Sequence, residues 1–146
     1  MNILKKSLIL IVSGLFLLSG ISYAQVDVQQ DMDAGKASVN KIFSTYSNYS
    51  KLEFESIISN DFMPVRSEFM NSVDTAAVNQ QAVEFDFSIQ QDIILDQKMA
   101  VRFEWNKKFT IAGTPGQQKA QGKSQLVFQK EEDQWKLIKI SGDNPF

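Results

Sequence analysis

Apolar residues recur along this 146-residue chain with three different rhythms. Near its start, Leu8 to Leu18 is an apolar run broken only by Ser13 and Gly14. From about residue 33 the spacing changes. Val39, Ile42, Phe43, Tyr46 and Tyr49 fall three and four apart, the stripe of an amphipathic helix, which predicts a helix over about 33–48. Ser50 and Glu53 have the Ser-x-x-Glu spacing of a capping box. They predict a second helix that carries Leu52, Phe54, Ile57 and Ile58, stops near Asn60 and is followed by an interruption at Pro64. Residues 66–74, with Phe69, Met70 and Val73 on one side, read as a third short helix.

After Val78 the period becomes two. Val83, Phe85, Phe87 and Ile89 alternate with Glu84, Asp86, Ser88 and Gln90, as in a strand with one buried face. Asp96-Gln97 reads as a turn. Ala100 to Ile111 is a longer strand with Val101, Phe103, Trp105, Phe109 and Ile111 on one face. Gly113-Thr-Pro-Gly116 predicts a hairpin loop, Ser124 to Lys130 a third strand, and Glu131-Glu132-Asp133 a solvated turn. Trp135 to Ser141 is the fourth strand, and Trp135 is expected to seal one end of the core. Helices first and strands afterwards predict an α+β fold: N-terminal helices packed on a curved antiparallel sheet of about four strands.

The opening run changes the picture of where the chain works. Lys5 and Lys6 precede it, and Ser22-Tyr23-Ala24 puts small residues at −3 and −1 of a cut after Ala24. These are the three parts of a secretory signal peptide. The run of residues 8–18 rises roughly 16 Å as a helix, too short for a bilayer core of about 30 Å. The organisation expected is a signal peptide over 1–24, a flexible lead-in over 25–32 and one domain over 33–146. Location follows as periplasm or medium, with membrane contact only if the leader stays uncleaved. Loss of the leader takes the net charge from −2 to −4, and Arg66 and Arg102 are the only arginines, so nucleic acid is a poor partner. Absence of Cys excludes disulfides, thiol chemistry and a lipid anchor on cysteine. Absence of His excludes a Ser-His-Asp triad and imidazole metal ligands. No glycine-rich phosphate loop is present, the acidic run 131–133 reads as a hairpin tip, and neither a metal nor a cofactor is expected.

Two stretches carry a resemblance. Gly122-Lys-Ser-Gln-Leu-Val-Phe-Gln-Lys-Glu-Glu-Asp-Gln-Trp-Lys-Leu-Ile-Lys-Ile-Ser-Gly-Asp resembles the last two strands of exported members of the NTF2-like superfamily, also called SnoaL-like or the cystatin-like cone. Ile58-Ser-Asn-Asp-Phe62 resembles the loop that follows their second helix. The resemblance covers about 34–146 and implies a sheet curled around a cavity that helices close. It leaves activity open, because some members isomerise or dehydrate small molecules, others bind ligands, and others are protein-binding or dimerising modules. Members resembling ketosteroid isomerases use a tyrosine and carboxylates inside the cone. On that pattern Tyr46 or Tyr49 and Asp61 are candidates, with Asp86, Glu104 and Lys107 added from strands.

Lys107 is the odd residue, because counting by two from Val101 puts it on the face of Phe103, Trp105 and Phe109. A buried amine needs a partner. Three readings stay open: a bulge near 106–108 turns it outward, an overhanging strand end leaves that face in solvent, or it points into the cavity mouth and binds an anion. The catalytic candidates are therefore Tyr46, Asp61 and Lys107, and the ligand-lining candidates are Tyr46, Tyr49, Phe85, Phe103, Trp105 and Lys107. The residues favour an exported noncatalytic domain that binds a small apolar ligand or a protein partner. The alternative is an isomerase-like or dehydratase-like enzyme acting on a small molecule in the cone. Scattered apolar residues on the second face of the sheet add the expectation of a weak homodimer through that face.

Overall fold

The computed structural model describes residues 33–146, so the expected signal peptide and lead-in lie outside the described residues. Helix α1, over 33–47, buries Val39, Ile42, Phe43 and Tyr46, the stripe that the spacing predicts, while Lys36, Asn40 and Ser44 face solvent. Helix α2 is only Lys51–Ser56. Ser50 sits at its N-cap with extended backbone but makes no side-chain cap bond, so the expected capping box does not form; the Ser50 carbonyl accepts the Phe54 N–H at 2.9 Å.

The second helix does not continue to Asn60 as expected. Ile57 and Ile58 are β-branched, which favours strand, and the edge of the last strand is open to them. Strand β1, Ile58–Met63, pairs there in parallel, with Ile58 beside Leu137 and the Ile57 carbonyl accepting the Leu137 N–H at 2.9 Å. Helix α3 then runs Arg66–Asn79, longer than expected. Four strands follow: β2 Gln80–Leu95, β3 Lys98–Ile111, β4 Thr114–Glu131 and β5 Gln134–Gly142. The sheet therefore has five strands in the order β1-β5-β4-β3-β2, antiparallel except for β1 with β5. Strand β4 begins ten residues before the expected Ser124, because Thr114 already pairs with Ile111 across a turn at Gly113 (φ 79°).

Bulges bend this sheet. Strand β2 gains one residue on β3 between Gln81 and Glu84, where Ala82 has φ 49°, and its register slips again between Ile89 and Gln91. An extra residue in one strand bends it and swaps the faces its side chains take. On the concave face Met99, Val101 and Phe103 of β3 meet Leu126 and Phe128 of β4 and the apolar stripe of α1, forming one core. The outer face is polar where strands β3 and β4 meet: Glu104 pairs with Lys123 at 2.6 Å, and Arg102 donates to Gln125 at 3.3 Å.

Trp135 packs against the core from its edge. It is half-buried beside Ala34, Ala37 and Lys41 of α1, on the rim of the core. Phe103, with 0% exposure, lies at the centre. Phe103→Ala is accordingly expected to cost about 3–5 kcal/mol. Trp135→Ala should cost less by about 1 kcal/mol, since part of the indole stays in water on the rim. Urea melts of both variants test the ranking; equal losses would put Trp135 in the core after all.

Candidate functional site

The bulge at Ala82 decides which side chains meet inside the cone. Beyond it, Phe85 and Phe87 face inward opposite Lys107 and Trp105. Before it the parity is reversed, so Gln80, not Gln81, faces inward, paired with Ile111. Gln80 is thereby brought to Lys107. The Lys107 ammonium donates to Gln80 Oε1 at 3.1 Å, and the Tyr46 hydroxyl donates to the same oxygen at 3.2 Å. One acceptor thus serves two donors that come from different elements.

The surroundings of this trio are aromatic. Lys107 Nζ lies 5.7 Å from the Tyr46 ring centre, 5.8 Å from Phe85 and 5.2 Å from Phe109, within reach of the rings' negative faces. Lys107 is 4% exposed and Tyr46 1%. Among the described residues no carboxylate pairs with Lys107. Burial without a counter-charge lowers its pKa from 10.5 to about 8. Burial acts the other way on the Tyr46 phenol, which is pushed up to about 12 and stays protonated at all ordinary pH values. Of the three readings left open for Lys107, neither the outward turn nor the solvent-facing overhang is taken: the side chain points inward and is buried. The bulge expected near 106–108 lies in the partner strand instead.

Tyr49 stands apart from the trio. Its hydroxyl donates to Asp74 of α3, and the other Asp74 oxygen meets Lys51 Nζ at 2.6 Å. The bond from Lys51, then that from Tyr49, holds the Asp74 carboxyl below its ordinary range; desolvation, then Asp74, raises the Tyr49 phenol well above its own. This is a tie between the end of α1 and α3. Asp61 is exposed on β1, four strands from β2, with its N–H donating to Ser59 Oγ at 3.0 Å. It is not brought to Tyr46 and Lys107. Asp86 and Glu104 lie on the outer face, and the latter is engaged by Lys123.

Phe85 stacks on Phe43 with ring centres 4.1 Å apart, and Phe103 meets the same ring edge-on at 5.6 Å. Trp105 is buried and donates from Nε1 to Ser124 Oγ at 2.8 Å. That hydroxyl in turn donates to the Asp143 carbonyl. Two participants carry no signal in sequence. Gln80 reads as one polar residue before a strand, and only knowledge of the bulge would turn it inward. Phe146 looks like an isolated apolar residue after β5. Its ring in fact lies 5.1 Å from Tyr46, 5.5 Å from Phe54, 6.0 Å from Phe69 and 6.1 Å from Phe43.

No protein-family profile matches this chain, and no curated protein does. Solved structures do. A conserved protein from Planctomyces limnophilus superposes with TM-score 0.67 at 12% identity, over 79% of this chain and 99% of its own. A proposed dehydratase of the NTF2-like family from Streptomyces avermitilis gives 0.68 at 12% identity, over 81% and 99%. A ketosteroid isomerase-like protein from Erwinia carotovora atroseptica gives 0.62 at 12% identity, over 79% and 98%. The shared feature is the NTF2-like fold, an open curved cone with helices against its sheet.

The buried amine gives a pH signature that can be measured on the protein alone. The folded pKa lies below the unfolded one, so between about pH 8 and 10.5 the unfolded chain holds more protons and stability rises with pH. Below pH 8 the full cost of burying the charge remains. Lys107→Met, which keeps the length without the charge, should therefore melt higher than wild type at pH 6–7, with the difference shrinking as pH rises through 8 toward 10.5. A pH-independent difference would show that Lys107 is not desolvated.

Proposed function

We propose that the chain acts on a small carbonyl compound inside the cone by moving a proton next to the carbonyl, as an isomerase-like or dehydratase-like enzyme. The observation that carries this reading is the shared acceptor, with Tyr46 Oη and Lys107 Nζ both bonded to Gln80 Oε1 within a shell of rings. Gln80 Oε1 is an amide carbonyl oxygen. It stands where a ligand's carbonyl oxygen would sit once the Gln80 side chain swings aside.

The chemistry follows from the two donors' different acidities. Tyr46, with its pKa near 12, remains an O–H donor and stabilises negative charge that grows on the ligand oxygen. Lys107, with its pKa near 8, has an uncharged amine in reach of ordinary pH, and a base is most effective when its pKa is near the working pH. The neutral amine takes the proton from the carbon beside the carbonyl. The C–H electron pair moves onto the carbonyl oxygen as an enolate held by Tyr46. Where the substrate has a β,γ double bond, return of the proton from the ammonium to the γ carbon completes an isomerisation. Where the β carbon bears a hydroxyl, the enolate re-forms the carbonyl, the α,β double bond forms as the β C–O bond breaks, and the ammonium's proton leaves with the hydroxyl as water. The structural neighbours described as a dehydratase and as isomerase-like support this direction by fold.

A second reading is noncatalytic binding of an apolar molecule with an anionic end. It is favoured by one observation: at pH 7 most of Lys107 is still a cation, without a carboxylate partner among the described residues. Exchange of the α-protons of acetone and cyclohexanone in D2O, followed by NMR from pH 6 to 9, separates the two. For the enzyme, exchange rises about tenfold per pH unit below 8 and then levels, Lys107→Met abolishes it, and Tyr46→Phe slows it about 10–100-fold. Binding of carboxylates without any exchange would leave the noncatalytic reading. Absence of both would remove the site.

We further propose export, with cleavage between Ala24 and Gln25. The support is the leader, with Lys5 and Lys6, the apolar run and Ser22 and Ala24 at the cut. Intact-mass measurement on protein from the native host should give a chain that begins at Gln25; a membrane-bound chain that still begins at Met1 would overturn it.

A further inference from the structure

The ring of Phe146, from beyond the last strand, inserts among rings of all three helices. Residues 143–146 leave β5 at Gly142, whose φ of 86° turns the chain back over the concave face. Asp143 ties this segment down. Its N–H donates to the Lys123 carbonyl at 3.0 Å, its carboxylate accepts the Lys123 N–H at 2.9 Å, and its carbonyl accepts Ser124 Oγ–H. Gly122 lies under it because a Cβ there would come within 2.6 Å of Asp143 Cβ. Pro145 is buried and Phe146 half-buried.

Four aromatic side chains from three separate helices receive the ring: Phe43 and Tyr46 from α1, Phe54 from α2 and Phe69 from α3. The Tyr46 geometry is tilted at 52°, and the other three contacts are edge-on or nearly so, the arrangement by which rings are held specifically. Tyr46 borders two places at once. Its ring touches Phe146, and its hydroxyl belongs to the trio with Gln80 and Lys107. The segment's outer side opens on a groove of about 330 Å³ lined by Phe62, Met63, Val65, Phe69 and Asn144. Met63 and Val65 are exposed there, an apolar approach to the Phe69 wall of the ring's seat.

We propose that the seat of Phe146 is a ring-binding subsite, filled from within by Phe146 and yielded to a ligand that carries a flat six-membered ring with a carbonyl attached. Phe146 stands in for the ligand's ring, as Gln80 Oε1 stands in for its oxygen. Gly142 is the hinge on which residues 143–146 swing away. The ring seat rests on the Phe146 contacts alone; the carbonyl rests on the functional reading above. A ligand competing with a tethered occupant binds more weakly by the fraction of time the seat is open. Removing or dislodging the occupant must then tighten binding.

The experiment measures acetophenone and acetone binding by calorimetry to wild type, Phe146→Ala and Gly142→Ala. Alanine at 142 keeps the Phe146 ring but sets a Cβ 2.4 Å from the Lys123 carbonyl oxygen at a positive φ, so it expels the segment. Both variants are expected to bind acetophenone at least tenfold more tightly than wild type does, with a smaller gain for acetone, which has no ring. Saturating acetophenone should also speed deuterium exchange at the Asp143 amide of wild type, and this readout needs no variant to fold. Equal or weaker acetophenone binding in a folded variant, or an unchanged Asp143 amide under saturation, overturns the subsite; so does failure of all three proteins to bind acetophenone. Tighter binding in the variants that neither depends on Lys107 nor leads to α-proton exchange leaves the subsite standing and removes the enzymatic reading.

Discussion

The interior of this cone is organised by one requirement: an ammonium group buried in β3 must find an acceptor. Taking Lys107 out of water without a partner would cost several kcal/mol. The rings of Tyr46, Phe85 and Phe109 recover part of that through their negative faces, but among the described residues only Gln80 supplies a hydrogen-bond acceptor. Gln80 can do so because β2 carries an extra residue at Ala82, a position with φ 49° that a side-chain-bearing residue adopts rarely. A local backbone irregularity, a parity switch and the partner of a buried charge are thus one feature. Without the extra residue, regular pairing would bring Gln81 rather than Gln80 opposite Ile111, so the bulge decides which of the two neighbouring amides meets the amine.

The same irregularity shapes the rest of the wall. With neither disulfide nor histidine available, the domain closes its concave face with phenyl rings from every layer. Phe43 meets four of them: Phe85, Phe87, Phe103 and Phe146. Rings fill a curved space in few rotamers and lose little side-chain entropy for the area they bury. They also leave few polar groups inside, which makes the Tyr46-Gln80-Lys107 trio conspicuous. Polar groups in such an interior have a large effect in either direction: fully partnered they fix one arrangement, and exposed to a ligand oxygen they polarise it strongly.

Much of the fold was legible in the residues, and the failures have definite causes. The stripe Val39-Ile42-Phe43-Tyr46 and the alternation through β2 and β3 follow from burial on one face, and burial is what the structure rewards there. The inward count that marked Lys107 was equally sound, since β3 keeps its alternation from Met99 to Lys107. What failed was decided elsewhere in the chain. Ile57 and Ile58 fit a helix stripe as well as a strand, and the open edge of β5, some eighty residues later, chose the strand. Asp61 fell on the exposed side of that unforeseen strand. Gln80 needed the bulge, and Phe146 needed the turn at Gly142. Neither has a periodic signal, because each depends on a break in a period.

A cone that fills its own interior has to reconcile stability with access. Each group that would greet a ligand here is already engaged by the protein: Tyr46 and Lys107 by Gln80, and the ring wall by Phe146. The two internal occupants differ in how firmly they are held. Gln80 begins β2, next to the end of α3, and its side chain can rotate away while the ladder from Gln81 onward stays paired. Phe146 lies beyond the last strand pair at Gly142 and is held by three hydrogen bonds at Asp143, by buried Pro145 and by its four ring contacts. Local openings of this size are available well below the energy of global unfolding. The polar trio is thus bordered by Gln80 at the start of β2 and by Phe146 beyond β5, while Phe103, Leu126 and Phe128 keep the sheet and helix together behind them.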